Sequence, residues 1–470
     1  MVYSELLFKV RLDKCSHPTY TAPMDDNFDR ERPSRLLLHL KQIIGNSEVP
    51  VGTMRGQRNR ARDGRAESQR EDDKGLELNS LPDSFWERLA GLGIRYESEL
   101  AFANSYLEED PPRSRVALLL ANSSELRRVA ILQLYIERAY SFRLHEPHEG
   151  LRITDDLLAW TEADPSSLVS VIRARAFMER GNFLRILADQ DGASAAFAQA
   201  WRTLEESGAG DPLEIARYQE LLGTLERDCG NYAIAADLLR KALGKIRRWG
   251  DSHSLQRVLI SASLADLYNN NSERAHRLLD EALSMEEHDG LFLRYAAVNK
   301  VLVYLYDGEP HRAYRYLLRL RGGLGEAWMQ GFPEAGRIGA LWIEAQVLSA
   351  LRLDDEAIAL FNHARNFYIQ AAYGYEVGHI SIEMALNYAA QEKYGEAARE
   401  LAFALPFCSA QKARDHYARA ALILLQQTIQ EQGRLKAGQI HAASQWLELF
   451  RRAPLKALRQ PPTLTDLLLQ

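Results

Sequence analysis

Arginines, Arg175, Arg185, Arg217, Arg227 and Arg257 among them, are residues of this chain whose chemistry suits a charged partner. A guanidinium presents a planar fork of donors that meets a carboxylate through two parallel, charge-assisted bonds. An acidic ligand is one partner they could take. Acids at helical spacing, such as Glu220 and Asp228, are the other, because charged pairs on helices are common. Catalytic chemistry finds no such footing. The chain has no HExxH, no GxGxxG, no GxxxxGK[ST] and no GxSxG. The closest histidine cluster is His145, Glu146 and His148, and the proline between the histidines predicts a solvated turn rather than a metal site. Cys15, Cys229 and Cys408 lie far apart with no CxxC, which fits reduced thiols in a cytosolic protein. Trp160, Trp201, Trp249, Trp328, Trp342 and Trp446 fall on amphipathic stretches and read as core or groove packing. No enzyme activity, cofactor or metal is expected.

Composition narrows the partners further. A net charge of −6 over 470 residues leaves no electrostatic footprint of a nucleic-acid binder. The arginine-rich stretch within 55–70 is diluted by nearby Asp63, Glu67, Glu71, Asp72 and Asp73, so nucleic-acid contact is not expected there either. The N-terminus is broken by Lys9, Arg11, Asp13 and Lys14 and does not read as a signal peptide. No window approaches eighteen uncharged apolar residues, so no membrane span is predicted and the expected location is the cytoplasm.

The elements that must position the arginines announce themselves by repetition. Ala193, Ala235, Ala275, Ala313, Ala357 and Ala397 recur at spacings of 38 to 44 residues. Seven residues beyond each comes Ala200, Ala242, Ala282, Leu320, Ala364 or Ala404. Twelve residues before each comes Gly181, Gly223, Ser263, Val301, Ala345 or Ala385. Between them lie Phe197, Leu239, Leu279, Leu317, Phe361 and Leu401. Each unit reads as two helices joined by a tight turn rich in Gly, Asn and Asp, residues suited to capping and left-handed geometry. The predicted turns fall at 189–192, 229–231, 269–271, 307–310, 353–355 and 392–394. A helical period of about forty residues means a solenoid, whose function is a surface.

The organisation that follows has five parts. Residues 1–80 are too polar and mixed in charge to bury a core and are expected to be disordered, apart from a short amphipathic helix at 32–44. Residues 81–165 form an N-terminal helical region. It holds a degenerate repeat, with Gly150 and Leu157 in the places of the two alanines. Six repeats span 166–410, two capping helices (412–431 and 435–452) span 411–452, and 453–470 is a tail.

This pattern resembles the tetratricopeptide repeat, which places small residues at positions 8, 20 and 27 and a large apolar residue at position 24. Sixteen of the eighteen small-residue slots hold Gly, Ala or Ser, and the exceptions, Val301 and Leu320, share the fourth unit. The period is longer than the family's usual one, as in the repeat domains of bacterial regulators. The resemblance implies an all-α, right-handed α–α solenoid of helical hairpins. It also implies a concave groove lined by the first helix of each unit, chiefly through positions 2, 5, 9 and 12. Position 2 is filled in order by Arg175, Arg217, Arg257, Tyr295, Gly339 and His379. The groove residues so implied include Asn182, Arg185, Arg217, Glu220, Arg227, Arg257, Trp342 and Gln346, with Tyr268 and Tyr306 nearby at position 13. The family's carboxylate clamp needs Lys, Asn and Arg across three repeats and is not predicted. The groove is arginine-rich at one end and apolar and aromatic at the other, which suggests a peptide or protein partner with acidic and apolar parts. A non-enzymatic scaffold or adaptor is the leading functional expectation. The alternative is an effector-binding sensor module of a bacterial regulatory system.

Overall fold

The repeated alanines sit where two helices touch. The computed structural model describes residues 83–410, apart from 110, 145, 188, 208–210, 286–289, 325–326 and 372. The expectations for 1–80, for the helices at 412–431 and 435–452, and for the tail lie outside these residues. All regular structure among the described residues is helical. The chain divides into two compact units, Met1–Leu134 with Asp164–Ile172, and Tyr135–Ala163 with Arg173–Gln470.

Four helices precede the regular array: α1 (Asp83–Glu108), α2 (Arg113–Ala121), α3 (Glu125–Ser141) and α4 (Pro147–Thr161). In the first unit Arg127 donates from Nε to Glu99 at 2.5 Å, and its guanidinium lies 4.4 Å from the centre of the Phe102 ring. The α3 stripe of Val129, Leu132, Ile136 and Ala139 is buried as its periodicity requires, while Tyr140 is half-buried. Ala130, Ile131 and Leu134 are buried as well, so α3 is covered on more than one side. The turn expected around His148 is instead the start of α4. Pro147 occupies its first turn, where a missing N–H costs nothing and the ring pre-sets φ.

Six hairpins follow. Their first helices, here called A, are α5 (Ser167–Ile186), α7 (Pro212–Asp228), α9 (Ser252–Tyr268), α11 (Gly290–Tyr306), α14 (Glu334–Ala350) and α16 (Gly374–Ala390). Their second helices, B, are α6 (Gln190–Glu206), α8 (Tyr232–Trp249), α10 (Ser272–Leu283), α12 (Pro310–Leu324), α15 (Asp354–Gln370) and α17 (Tyr394–Ala410). The short α13 (Ala327–Gln330) is inserted between the fourth and fifth hairpins and accounts for the longest interval between repeated alanines.

The six alanines at position 20 are completely buried, and the position-24 side chains are buried against them. Position 8 must be small because position 24 sits on it. A Cβ added at Gly223 would lie 2.9 Å from Leu239 Cγ, and one at Gly181 would lie 3.0 Å from the Phe197 ring. The degenerate repeat obeys a related constraint, since a Cβ at Gly150 would run into the Phe183 ring. In the fourth hairpin Val301 is fully buried but Leu320 only half-buried.

Every A–B turn is closed the same way. The backbone N–H of Asp189, Asn231, Asn271, Glu309, Leu353 and Lys393 donates to the carbonyl five residues earlier at 2.8–3.0 Å. The residue just before the donor is left-handed at Gly230, Asn270, Gly308, Arg352 and Glu392, each five residues ahead of its alanine. The fifth turn therefore sits one residue earlier than its Leu-Asp-Asp composition suggests, and Asp354 already opens helix B. Asp211 and Asp251 cap the A helices of the second and third hairpins, accepting from Leu213 N (2.9 Å) and Ser254 N (2.6 Å). No helix among the described residues is long and apolar enough to cross a membrane.

Candidate ligand-binding face

Successive hairpins of the second unit are tied together by polar links that leave the same face of the A helices. Glu179 of the first hairpin accepts from Arg217 of the second at 2.8 Å. Arg217 also donates to Glu220 at 3.1 Å, and Glu220 accepts two parallel bonds, of 2.8 and 2.9 Å, from Arg257 of the third. A second link runs alongside. Asp228 accepts from Arg185 of the first hairpin at 2.5 Å and from its neighbour Arg227 at 2.8 Å. Asn182 steadies Arg185 by accepting from it at 3.0 Å. Arg175 binds Glu214 of the next hairpin.

These pairs define the charge state of the face. Burial raises the pKa of the Glu220 carboxyl, but Arg257 and Arg217 outweigh it and hold the group below its ordinary value. Asp228 is held down in the same way by Arg227 and Arg185. Burial would lower the pKa of the Arg217 guanidinium, yet Glu179 and Glu220 keep it above the usual value. All five arginines thus have carboxylate partners within the array. The sequence leaves ligand recognition and internal pairing open, and the structure shows the internal pairs.

The remaining predicted residues lie on the fourth to sixth hairpins or at the turns. Tyr268 and Tyr306 stack edge-on with ring centres 5.6 Å apart, and Tyr232 lies 5.6 Å from Tyr268 on the other side. Trp342 packs against Tyr368 (6.1 Å) and His379 (6.5 Å), and its indole Nε1 is buried without a hydrogen-bond partner. Gln346 donates to Glu383 of the sixth hairpin at 3.3 Å, extending the seam of polar links.

Residues far apart in sequence meet on this face. Glu376, at the start of helix A of the sixth hairpin, is close enough to Asp228 and Arg185 for both to act on its charge. Burial is the main influence on it and pushes its pKa up to about 7, with His379 and its own backbone hydrogen bond working the other way. Arg143, which lies over Tyr140, acts on Tyr295 of the fourth hairpin. The A-helix residues are polar and self-paired on the first three hairpins, and Tyr295 and Trp342 follow on the fourth and fifth, with Tyr368 of helix B and Tyr373 of the following turn nearby.

Sequence reasoning missed Glu179, Glu214 and Glu376. Glu179 lies four residues after position 2 of its own hairpin and meets position 2 of the next. The other signal is a residue three before position 2 that meets position 2 of the hairpin before it. Glu214 stands so to Arg175, and Gly336 to Tyr295, whose hydroxyl would be 2.6 Å from a Cβ at Gly336. Among the described residues no group of three His, Cys, Asp or Glu side chains is placed to hold a metal ion.

No family model matches the chain, and no curated protein matches it. Among solved structures it is similar to a Rap protein complexed with Competence and Sporulation Factor. The TM-score is 0.51 and the identity 12%, covering 70% of this chain and 89% of that one. It also matches the apo form of the quorum sensor NprR from B. thuringiensis, with a TM-score of 0.39 and 14% identity over 68% of this chain and 99% of that one. At the first of these levels the likeness is one of fold: an all-α array of tetratricopeptide-like hairpins, not assigned to one repeat family.

Proposed function

We propose that this chain is a non-catalytic receptor for a peptide, working as the effector-binding sensor of a regulatory system rather than as a passive adaptor. The observation that carries the reading is the seam of polar links along this face. A ligand lying there touches several hairpins at once, and the links join successive hairpins. Ligand contacts that strengthen or replace links change the relative stability of hairpin arrangements, which is what a sensor requires. The fold likeness to a Rap protein solved with a bound factor supports the same reading by analogy. Within the ligand, an apolar part suits the rings of the last three hairpins. An acidic part suits Arg185 and Arg227, which come together at the carboxylate of Asp228.

The test uses the full chain isolated from its native cells, with bound peptides released by acid and identified by mass spectrometry. Thr224→Arg with Leu264→Arg blocks position 9 of the second and third hairpins and serves as the control. Peptide released from the parent chain but not from the blocked one supports the groove, and equal release from both sinks it. Addition of the identified peptide should change the small-angle scattering profile, whereas an adaptor keeps one shape.

A further inference from the structure

Glu376 is a recessed carboxyl whose cation is missing. Among the described residues no side chain forms an ion pair or hydrogen bond with it, although Glu214, Glu220 and Asp228, all on helix A of the second hairpin, have arginines. The repeat register says where its partner belongs. Glu376 lies three residues before His379, which fills position 2, so the register shared by Glu214 and Gly336 puts it towards position 2 of the fifth hairpin. In the first two hairpins that relation joins Arg175 to Glu214, and in the fourth and fifth it joins Tyr295 to Gly336. In the fifth and sixth, position 2 is Gly339. Its neighbours on the position-2 row are large, Tyr295 before it and His379 after it. A Cβ built at Gly339 would meet only the Tyr368 hydroxyl within 4 Å, at 3.9 Å. Space stands where the array elsewhere puts a guanidinium.

The walls of this space suit a cation. Tyr368 packs against Tyr373 with ring centres 6.0 Å apart and against Trp342 at 6.1 Å. Burial keeps both tyrosines un-ionised, and Glu376 works in the same direction on each. Aromatic faces beside an unpaired carboxyl favour ammonium and guanidinium groups through ring quadrupole and charge together. We infer that the gap at Gly339 seats a cation supplied by the ligand, a guanidinium or a primary ammonium, which pairs with Glu376 beside Tyr295, Tyr368 and Tyr373. The inference rests on the peptide-receptor reading and adds a positive group to the ligand it requires. The two sources of such a group are an arginine or lysine side chain and a free amino terminus.

Three probes distinguish them by calorimetric titration of the full chain at pH 8. N-acetylargininamide carries only a guanidinium, phenethylamine, which stays charged at this pH, only a primary ammonium on a short stem like an amino terminus, and N-acetylphenylalaninamide neither. One of the two cations should bind and the neutral probe should not, and the one that binds identifies the source. Glu376→Gln removes the anion, and Gly339→Arg supplies the missing guanidinium from the chain itself. Each should weaken the bound probe by about tenfold or more. Equal affinity for Glu376→Gln, binding of the neutral probe as tight as that of the cations, or no heat from either cation at about 50 mM overturns the cation site. If Gly339→Arg does not fold, Glu376→Gln decides alone. A chain that still loses its native peptide on blocking positions 224 and 264 but binds no cation keeps the groove and loses only this site.

Discussion

Glu376→Gln is the substitution that discriminates most sharply, because its sign reverses the usual expectation for removing a charge. The carboxyl has a pKa of about 7 in the folded chain against an ordinary 4.5. Its folded-state pKa is raised, so the folded state holds a proton that the unfolded chain has released. Stability is therefore lost as pH rises from about 4.5 and is fully lost above about 7. The shift corresponds to roughly 3 kcal/mol at pH 8 and under about 1 kcal/mol at pH 5. Glu376 is partly accessible, and solvent screening reduces the difference between the two to about 2 kcal/mol. Glutamine mimics the protonated acid. The groups facing the site are His379 on the same helix, Tyr368 and Tyr373 from the fifth hairpin, and Asp228 and Arg185 from the second and first. Hydrogen exchange of 374–390 is the appropriate assay, since stacked hairpins open locally and a global midpoint averages over them. At pH 8 exchange in that segment should slow by about 30-fold relative to the parent, and at pH 5 the two chains should nearly coincide. Faster exchange at pH 8, or the same ratio at both pH values, would refute a carboxyl strained by burial and unpaired.

Ala235→Leu should overpack the contact between helices A and B of the second hairpin, where Gly223 and Leu239 already touch, at a cost of about 1–3 kcal/mol. Loss of protection confined to hairpins around 212–249 in exchange experiments checks it, and unchanged thermal unfolding would mean the register is misplaced. Glu392→Gly relieves a left-handed non-glycine residue that is exposed and caps helix A of the sixth hairpin. It should stabilise that hairpin by about 0.5–1 kcal/mol in urea titrations, where a loss of stability would contradict the strain. Glu220→Gln leaves the recessed Arg257 without its bidentate acceptor while Arg217 keeps Glu179. About 3 kcal/mol of local stability should disappear from the first three hairpins, read as faster exchange at 167–268. A change below about 0.5 kcal/mol would show that the seam is not structural.

The parts of this molecule that sequence disclosed are those set by contacts within one hairpin. Ala235, Gly223 and Leu239 declare one another because steric exclusion at a helix crossing acts at fixed offsets of four to sixteen residues. Gly230 and Gly308 declare their turns because left-handed backbone favours glycine, whereas Arg352 holds the same conformation only because the flanking helices impose it. Side-chain identity alone could not place that turn. The seam between hairpins is less legible. Arg217 meets Glu179 and Arg257 meets Glu220 at separations of 38 and 37 residues, and nothing in composition says which of the many acids is opposite which arginine. The register assigns Arg185 and Arg227 to the groove, but gives no sign that both meet Asp228.

Glu376 was invisible for a stronger reason, since its distinguishing feature is a partner that is not there, and a glycine carries no charge pattern to be noticed. Once the offset between position 2 and the residue three before it is known, the row Arg175, Arg217, Arg257, Tyr295, Gly339, His379 reads differently. Its first half consists of cations that neighbouring hairpins neutralise: Arg175 by the next one, Arg217 and Arg257 by the one before. Its fifth member is a vacancy in front of an acid. A ligand cation at Gly339 would give the last two hairpins the kind of link that Arg175 and Glu214 already give the first two. Binding there would then alter hairpin coupling where the chain has left it incomplete, and a sensor of this architecture needs no moving part beyond that seam.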